Sequence, residues 1–271
     1  MRLLILNPNT SAAVTTKLLG HAQAHLVSRS ADGQTSGQRG RPVSAPVTLT
    51  TATARLGASY IASEASYAIA AHAALDAWAQ FSSAGGQADA VLLGCFGDPG
   101  VAALREVTGL PVIGLAEAAL RQAARHGRVA IVTGGVAWVP MLQRLARNLG
   151  LGQALVAVHA VAPSGAELAA NPAAALGLLA DACRSAAQGA DALILGGAGL
   201  AGLAAPLAAT LAAQAAGALG LPLIDSTSAG LDWLLDEALD DLRHPPAPGS
   251  PPVWTGLQPA LHQTLGRAGM P

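Results

Sequence analysis

The strongest constraint on the fold is a short sequence that occurs twice in the chain. Residues 88–101 read ADAVLLGCFGDPGV, and residues 190–203 read ADALILGGAGLAGL, 102 positions later. Each copy is an apolar run that breaks into a Gly-rich turn and then continues with a helical pattern. Such a segment is typical of a strand that carries a tight loop to the open end of a parallel sheet. We therefore predict a duplicated fold with one such loop in each half.

The two copies differ at the residue that opens the turn. The first copy has Cys95 there, and the second copy has Gly197. If the two turns face each other across a cleft, one wall of that cleft carries a thiol and the other carries none.

Short apolar runs alternate with longer helical patterns along the chain. Strands are predicted over residues 3–6, 43–49, 90–93, 111–115, 129–132, 155–161, 192–195 and 222–224, and helices over 11–26, 59–81, 101–107, 117–126, 139–149, 173–188, 203–219 and 228–242. This alternation predicts an α/β fold of two pseudo-symmetric, doubly wound parallel-sheet (flavodoxin-like) lobes, with the active site in the cleft between them. We assign residues 1–112 plus 225–271 to the first lobe and 113–224 to the second.

Two stretches lie outside this pattern. Residues 28–42 are polar and rich in Gly, Ser and Arg, and they predict a loop. Residues 244–252 are Pro-rich, and we expect the chain beyond them to form a tail that is either poorly ordered or packed on the body.

Composition excludes several classes of protein. The net charge is −1 and the sequence has no basic stripe, so nucleic acid is not an expected partner. Residues 192–224 carry no charge, but glycines and two prolines interrupt them, which favours a buried strand–helix–strand over a membrane span. Two cysteines make no disulfide framework, so we expect a cytoplasmic protein. The apolar composition, 52% hydrophobic, favours a homo-oligomer.

The sequence also argues against common cofactors. Residues 197–202 match G-x-G-x-x-G and Asp225 follows, yet only 69 residues remain after Gly202, too few for a dinucleotide-binding half-fold plus a catalytic domain. Lys17 is the single lysine and lies within the first helical pattern, which argues against a pyridoxal Schiff base. The seven histidines show no metal-ligand spacing, so we expect no metal and no cofactor.

Four loops are expected to meet at the cleft: residues 7–11, 95–100, 133–136 and 197–202. Within them Cys95 has two interpretations. A free cysteine often packs as a small buried hydrophobe, whereas one at a strand end beside a Gly-rich turn can react. We favour the functional interpretation, and we expect the turn amides either to lower the pKa of the thiol or to hold a substrate carboxylate. Cys183, in the middle of a predicted helix, is interpreted as structural.

Four motifs together resemble one known family. NPNTS follows the first strand, GCFGDPG follows a central strand, PVIGLAEA lies behind it, and the Gly-rich turn at 197–202 comes late. Over residues 1–242 the chain resembles the Asp/Glu/hydantoin racemase superfamily, and its hydantoin racemase branch in particular. The resemblance implies a cofactor-free enzyme in which two cysteines face each other across the cleft. One thiolate removes the α-proton of the substrate, and the opposite thiol delivers a proton to the other face.

The resemblance places Cys95 at the first family cysteine and Gly197 at the second. It implies a racemase or epimerase acting at the carbon next to a carbonyl or carboxylate of a hydantoin or amino-acid derivative, with Cys95 as acid and base. Turn amides and hydroxyls would stabilise the enolate-like intermediate. The substrate-binding residues predicted on this basis are Asn9, Thr10, Phe96, Gly97, Thr133, Gly134, Gly197 and Ala198.

Two alternatives stay open at this point. Arylmalonate decarboxylases of the same superfamily resemble this chain in having one cysteine opposite a glycine, although their thiol lies in the second lobe. A single-cysteine decarboxylase or isomerase is therefore one alternative. The other is a non-catalytic protein that binds a small molecule on the same scaffold.

Overall fold

The computed structural model describes residues 1–31, 46–214, 217–236 and 254–268. The strands and helices of the first lobe are β1 (Arg2–Asn7), α1 (Ala12–Ala31), β2 (Thr48–Thr53), α2 (Glu64–Ser83), β3 (Ala90–Leu93), α3 (Val101–Thr108) and β4 (Val112–Gly114). The four strands form a parallel sheet with strand order β2-β1-β3-β4.

The second lobe contains β5 (Val129–Gly134), α5 (Trp138–Asn148), β6 (Leu155–Val161), α6 (Gly165–Ala170), α7 (Pro172–Ala186), β7 (Ala192–Gly196), the 3₁₀ turn Ala198–Leu200, α8 (Ala204–Ala213) and β8 (Leu223–Asp225). Its four strands repeat the arrangement of the first lobe, with strand order β6-β5-β7-β8. Three more helices are α4 (Leu115–Ala124), α9 (Ser226–Asp236) and α10 (Pro259–Ala268). The identical strand orders confirm the predicted duplicated α/β fold with flavodoxin-like lobes.

The central strands are buried on both faces, which explains why they read as continuous apolar runs. In β1, Leu3 and Ile5 belong to a core that both lobes share, whereas Leu4 and Leu6 belong to a core on the outer face of the first sheet. β7 behaves in the same way, because successive side chains of a strand point to opposite faces. The shared core is what joins the two sheets.

The helix after the last strand of each lobe crosses toward the other lobe. Helix α4 follows β4 and packs against α9 and against β5, β7 and β8 of the second sheet. Helix α9 follows β8 and packs against α1, β3 and β4 of the first. The lobe boundaries given above stay a prediction, and this exchange of helices is the physical argument for them.

A carboxylate caps the first turn of both crossing helices, but it comes from a different element in each lobe. Asp98, in the turn after β3, accepts hydrogen bonds from the amides of Ala116 (3.0 Å) and Glu117 (2.6 Å) in α4. Its carboxyl fills the space that a side chain at Gly114 would occupy. In the second lobe Asp225, which pairs with Leu195 as Gly114 pairs with Leu93, accepts from two amides of α9 itself.

Several predicted boundaries are wrong, each for a local reason. The strand expected at 43–49 is β2 at Thr48–Thr53. The helix expected from residue 59 starts at Glu64, because Ser63 and Ser66 form a capping box there. Residues 28–31, expected to belong to a loop, are helical, since α1 continues to Ala31 and Arg29 is paired with α9. The remainder of that loop and the Pro-rich stretch 244–252 lie outside the described residues.

The C-terminal helix α10 packs on α2 and α3, as expected of a packed tail. None of the helices within the described ranges is long and apolar enough to cross a membrane.

We predict that Gly114→Ala destabilises the fold, because the new Cβ overlaps the Asp98 carboxyl and displaces the α4 cap. Overpacking and loss of a cap together predict a decrease of about 2–4 kcal/mol in the free energy of unfolding. Chemical denaturation measures this value. Gly20→Ala is the control: no atom lies within 4 Å of its new Cβ, so helix propensity predicts a gain of about 0.5–1 kcal/mol. Equal stability of both variants would contradict the assignment of the cap.

Candidate functional site

A cavity of about 100 Å³ lies where the carboxyl ends of β1, β3, β5 and β7 meet. This volume is smaller than the range of about 300–1,000 Å³ typical of drug-sized ligands, so the cavity suits a small molecule. Its lining residues are Asn9, Ser11, Val14, Ser59, Tyr60, Ile61, Cys95, Phe96, Thr133, Gly134, Trp138, Gly165, Ala166, Gly196, Gly197, Ala198 and Gly199.

The structure brings most of the predicted site residues to this cavity. Those that line it are Asn9, Cys95, Phe96, Thr133, Gly134, Gly197 and Ala198. Thr10 and Gly97 are not among the lining residues. The Thr10 amide donates to the carbonyl of Ala58 (3.1 Å), and the Gly97 carbonyl accepts from the Tyr67 hydroxyl (2.8 Å). The predicted contact of Thr10 and Gly97 with a substrate stays a prediction.

The Cys95 thiol is buried, with 5% of the residue exposed. Burial raises the pKa of this thiol, and the nearby Asp98 carboxyl raises it further. The expectation that turn amides lower the pKa is wrong, because the amides of Gly97 and Asp98 donate instead to the carbonyl oxygen of Cys95 (3.1 and 3.2 Å). Because its pKa is raised, the Cys95 thiol is protonated at neutral pH.

Asp98 is itself buried beneath this turn, at a positive φ of 59°. Burial raises the pKa of its carboxyl to about 7. The hydrogen bonds from the amides of Ala116 and Glu117 lower this pKa, but burial has the larger effect. Near neutral pH the charge beside Cys95 therefore depends on pH.

The first-lobe wall presents an oriented amide group. The Asn9 Oδ1 accepts from Asn7 Nδ2 (3.0 Å) and from the amide of Ser11 (2.9 Å). These two bonds hold the carboxamide with its Nδ2 as a remaining donor at the cavity. Asn7 is fixed in turn by Thr15 in α1 (3.0 Å). The NPNTS motif therefore both starts α1 and places a hydrogen-bond donor beside the cavity.

The second-lobe wall has no ionisable acid or base among its lining side chains; Thr133 and Trp138 are its largest polar groups. Gly197 has φ 141° and ψ 126°, a conformation that favours glycine. A Cβ there would meet only Leu200, at 3.4 Å, so backbone strain rather than space opposes a side chain. The wall opposite Cys95, called the bare wall below, therefore carries no ionisable side chain.

Two aromatic rings cross between the lobes at this site. The Phe96 ring of the first lobe lies against Gly196 of the second, and the Trp138 ring of the second lies against Gly97 of the first; a Cβ on either glycine would overlap the ring. Trp138 also meets the Tyr67 ring edge-on at 6.4 Å. These reciprocal contacts determine how closely the two walls approach.

The loop between β2 and α2 supplies residues that the sequence analysis missed. The Tyr60 hydroxyl donates to the Gly134 carbonyl (3.3 Å) and accepts from the Gly165 amide (3.0 Å), so it links the two lobes. The sequence predicts a helix from residue 59, so it did not indicate that Tyr60 lies in a loop. Trp138 follows the TGG turn in a chain with only 3% aromatic residues, and this rarity is the signal that could have pointed to it. Ser11, Ser59 and Ile61 also line the cavity.

Within the residues that the structure describes, no group of three or more His, Cys, Asp or Glu side chains is arranged to hold a metal ion.

Comparison with known proteins identifies relatives along most of the chain. The family model described as Asp/Glu/Hydantoin racemase matches residues 3–234. The hydantoin racemase of Paenarthrobacter aurescens is 27% identical over 235 residues, which cover 84% of this chain and 87% of that protein. Allantoin racemase from Klebsiella pneumoniae superposes with a TM-score of 0.70 at 29% identity, covering 86% of each chain. Allantoin racemase from Pseudomonas fluorescens gives 0.71 at 24% identity, covering 86% of this chain and 91% of the other.

We predict that Cys95 reacts slowly with alkylating agents in the folded protein. In Cys183→Ser its reaction with iodoacetamide at pH 8 should be at least ~10-fold slower than that of glutathione, because burial raises the thiol pKa and limits access. The rate should still rise with pH above 9. Cys95→Ser is the control, since the remaining Cys183 is also buried, with its pKa raised to about 12. A plateau below pH 8.5 in Cys183→Ser would show a lowered pKa and refute the electrostatic argument.

Proposed function

Because the chain belongs to the Asp/Glu/hydantoin racemase family, we propose that it is a racemase or epimerase acting next to a carbonyl or carboxylate. The substrate class is a hydantoin or another amino-acid derivative, and no cofactor takes part. The observation that carries the proposal is the position of Cys95, whose thiol lines a small cavity between the strand ends of both lobes. The cytoplasmic location and the homo-oligomeric state stay predictions.

In the proposed first step, the Cys95 thiolate removes the α-proton and becomes a thiol. A raised pKa makes the thiolate a stronger base but leaves little of it at neutral pH. The rate of this step should therefore increase with pH across the neutral range. The electron pair left on the α-carbon moves toward the carbonyl oxygen and forms an enolate.

The enolate oxygen would be stabilised by donors that are already oriented. The Asn9 Nδ2 is held at the cavity by the bonds described above, and the backbone of Gly197 and Ala198 lies on the opposite wall. Preorganised donors in a site shielded from water are a large source of transition-state stabilisation.

Racemisation also needs a proton on the other face, and the Gly197 wall has no ionisable side chain to supply one. We propose that a water molecule bound by the Thr133 hydroxyl fills this role, since Thr133 is paired in register with Gly196, next to Gly197. The water gives a proton to the α-carbon and becomes hydroxide. The hydroxide is neutralised by the proton that Cys95 took, through exchange with solvent, which restores the thiolate.

One observation favours a second candidate function, a single-cysteine decarboxylase or isomerase. Burial keeps Cys95 protonated, which suits a thiol that gives a proton to a carbanion rather than one that removes a proton. In a decarboxylase, loss of carbon dioxide generates that carbanion, and Cys95 protonates it on one face. A protein that only binds its ligand would be stabilised by it without turning it over.

Proton NMR in deuterium oxide is the decisive measurement. We predict that the protein exchanges the α-proton of a 5-substituted hydantoin or amino acid and inverts its configuration. Cys95→Ala should reduce the rate by about 10²–10⁴-fold, the usual contribution of an acid–base group. Cys183→Ala is the matched control, because that thiol lies in α7 within the outer core of the second lobe.

The stereochemical outcome separates the candidates. Exchange with inversion supports a racemase, whereas release of carbon dioxide from an arylmalonate with one product enantiomer supports the decarboxylase. Ligand-induced thermal stabilisation without exchange or decarboxylation would point to a binding protein. Full activity of Cys95→Ala would refute every reaction in which this thiol takes part.

A further prediction concerns Thr133. Thr133→Val keeps the shape of the side chain but removes the hydroxyl that holds the proposed water. We expect inversion to fall at least ~10-fold, while deuterium exchange on the Cys95 face stays within a few-fold of the wild type. Chiral chromatography measures inversion, and NMR measures exchange. The control is Thr210→Val on α8, whose hydroxyl bonds only its own helix. Equal loss of exchange and inversion would assign Thr133 a different role.

A further inference from the structure

Helix α1 carries a row of four basic residues at intervals of four: Lys17, His21, His25 and Arg29. Residues four apart lie on one side of a helix. This side of α1 faces α9 and the 3₁₀ turn of the second lobe, so the row runs along the junction between the lobes.

Three members of the row pair with carboxylates. His21 contacts Asp225 (3.0 Å), and His25 contacts Asp232 (2.7 Å). Arg29 contacts Asp232 through Nη1 (2.6 Å) and Asp236 through Nη2 (2.7 Å). These contacts dock α1 on α9 and on the end of β8.

Lys17, at the end of the row next to the cavity, is different. Its Nζ donates to the carbonyl of Gly199 (3.0 Å), a residue that lines the cavity. No carboxylate in the described ranges pairs with it. The nearest acid along the row, Asp225, already accepts from His21 and from the amides of Gly202, Thr227 and Ser228.

The position of Lys17 places this charge behind the bare wall. Val14, one turn earlier on α1, lines the cavity, while Lys17 reaches the wall from behind through Gly199. Burial of the ammonium lowers the pKa of Lys17, and no neighbouring acid offsets that cost. A partly buried cation without a carboxylate is stabilised when an anion enters the adjacent cavity.

We infer that Lys17 is a positioning residue whose ammonium holds the 197–200 turn and makes the cavity selective for an anionic ligand. The chemical class is a carboxylate or an enolate, the species that forms when an α-proton is removed. The enolate part of this inference rests on the proposed function. The preference for an anion over a neutral molecule of the same size does not require turnover.

Calorimetric titration with two non-reactive ureide probes tests the inference. Barbiturate is a planar ring anion at neutral pH, whereas 5,5-dimethylhydantoin is a neutral ring of similar size without an α-proton. Lys17→Gln keeps a hydrogen-bond donor but removes the charge. We expect it to weaken barbiturate binding about tenfold, equivalent to about 1.4 kcal/mol, and to change dimethylhydantoin binding less than twofold.

Two further variants separate charge from structure. Lys17→Arg should restore at least half of the lost affinity for barbiturate, because it keeps the cation. Arg2→Gln removes an exposed cation paired with Asp89 at the opposite end of β1, and it should leave both affinities unchanged. Thermal unfolding of each variant checks that the fold is intact.

Each outcome decides the inference. Selective loss of barbiturate binding in Lys17→Gln supports it, even if the wild type shows no α-proton exchange and the proposed function fails. Equal weakening of both probes assigns Lys17 a purely structural role and overturns the inference. Failure of the wild type to prefer barbiturate over dimethylhydantoin overturns it as well.

Discussion

The geometry of the cleft depends on two aromatic rings, each of which lies against a glycine of the opposite lobe. Phe96 packs on Gly196, and Trp138 packs on Gly97, where any side chain would overlap the ring. Only glycine lets a ring approach the backbone this closely. Since both rings also line the cavity, the same contacts that join the lobes shape its walls.

This packing determines the chemistry of the thiol. Excluding water from Cys95 raises its pKa, and the turn amides that might have offset this are bonded to the carbonyl oxygen of the same residue. The two walls of the duplicated scaffold are consequently unlike. One presents a thiol and an oriented Asn9 amide, while the other presents glycines, the Thr133 hydroxyl and, behind Gly199, the ammonium of Lys17.

Much of the fold could be predicted where one local signal dominated. The strand at Leu155–Val161 was predicted with its observed ends, because its apolar run has clear limits. The bounds of β2 could not be predicted, because its residues, TLTTAT, are polar and half-exposed. The more apolar residues before them match the pattern of a strand better. The separate prediction of a helix from residue 59 included Tyr60, which is not among the predicted site residues. Most of the remaining site residues were found because Gly-rich turns at strand ends are visible in the sequence.

By itself, the sequence determined the duplication, the parallel α/β architecture and the placement of Cys95 and Gly197 at equivalent strand ends. Periodicity and turn chemistry are local properties, so they can be read without knowing what packs against them. Only the tertiary structure decided the direction of the Cys95 pKa shift, the presence of Tyr60 and Trp138 in the cavity lining, and the position of Lys17 behind the bare wall. These properties depend on desolvation and on distances between residues far apart in the chain, which exist only once the two lobes have packed together.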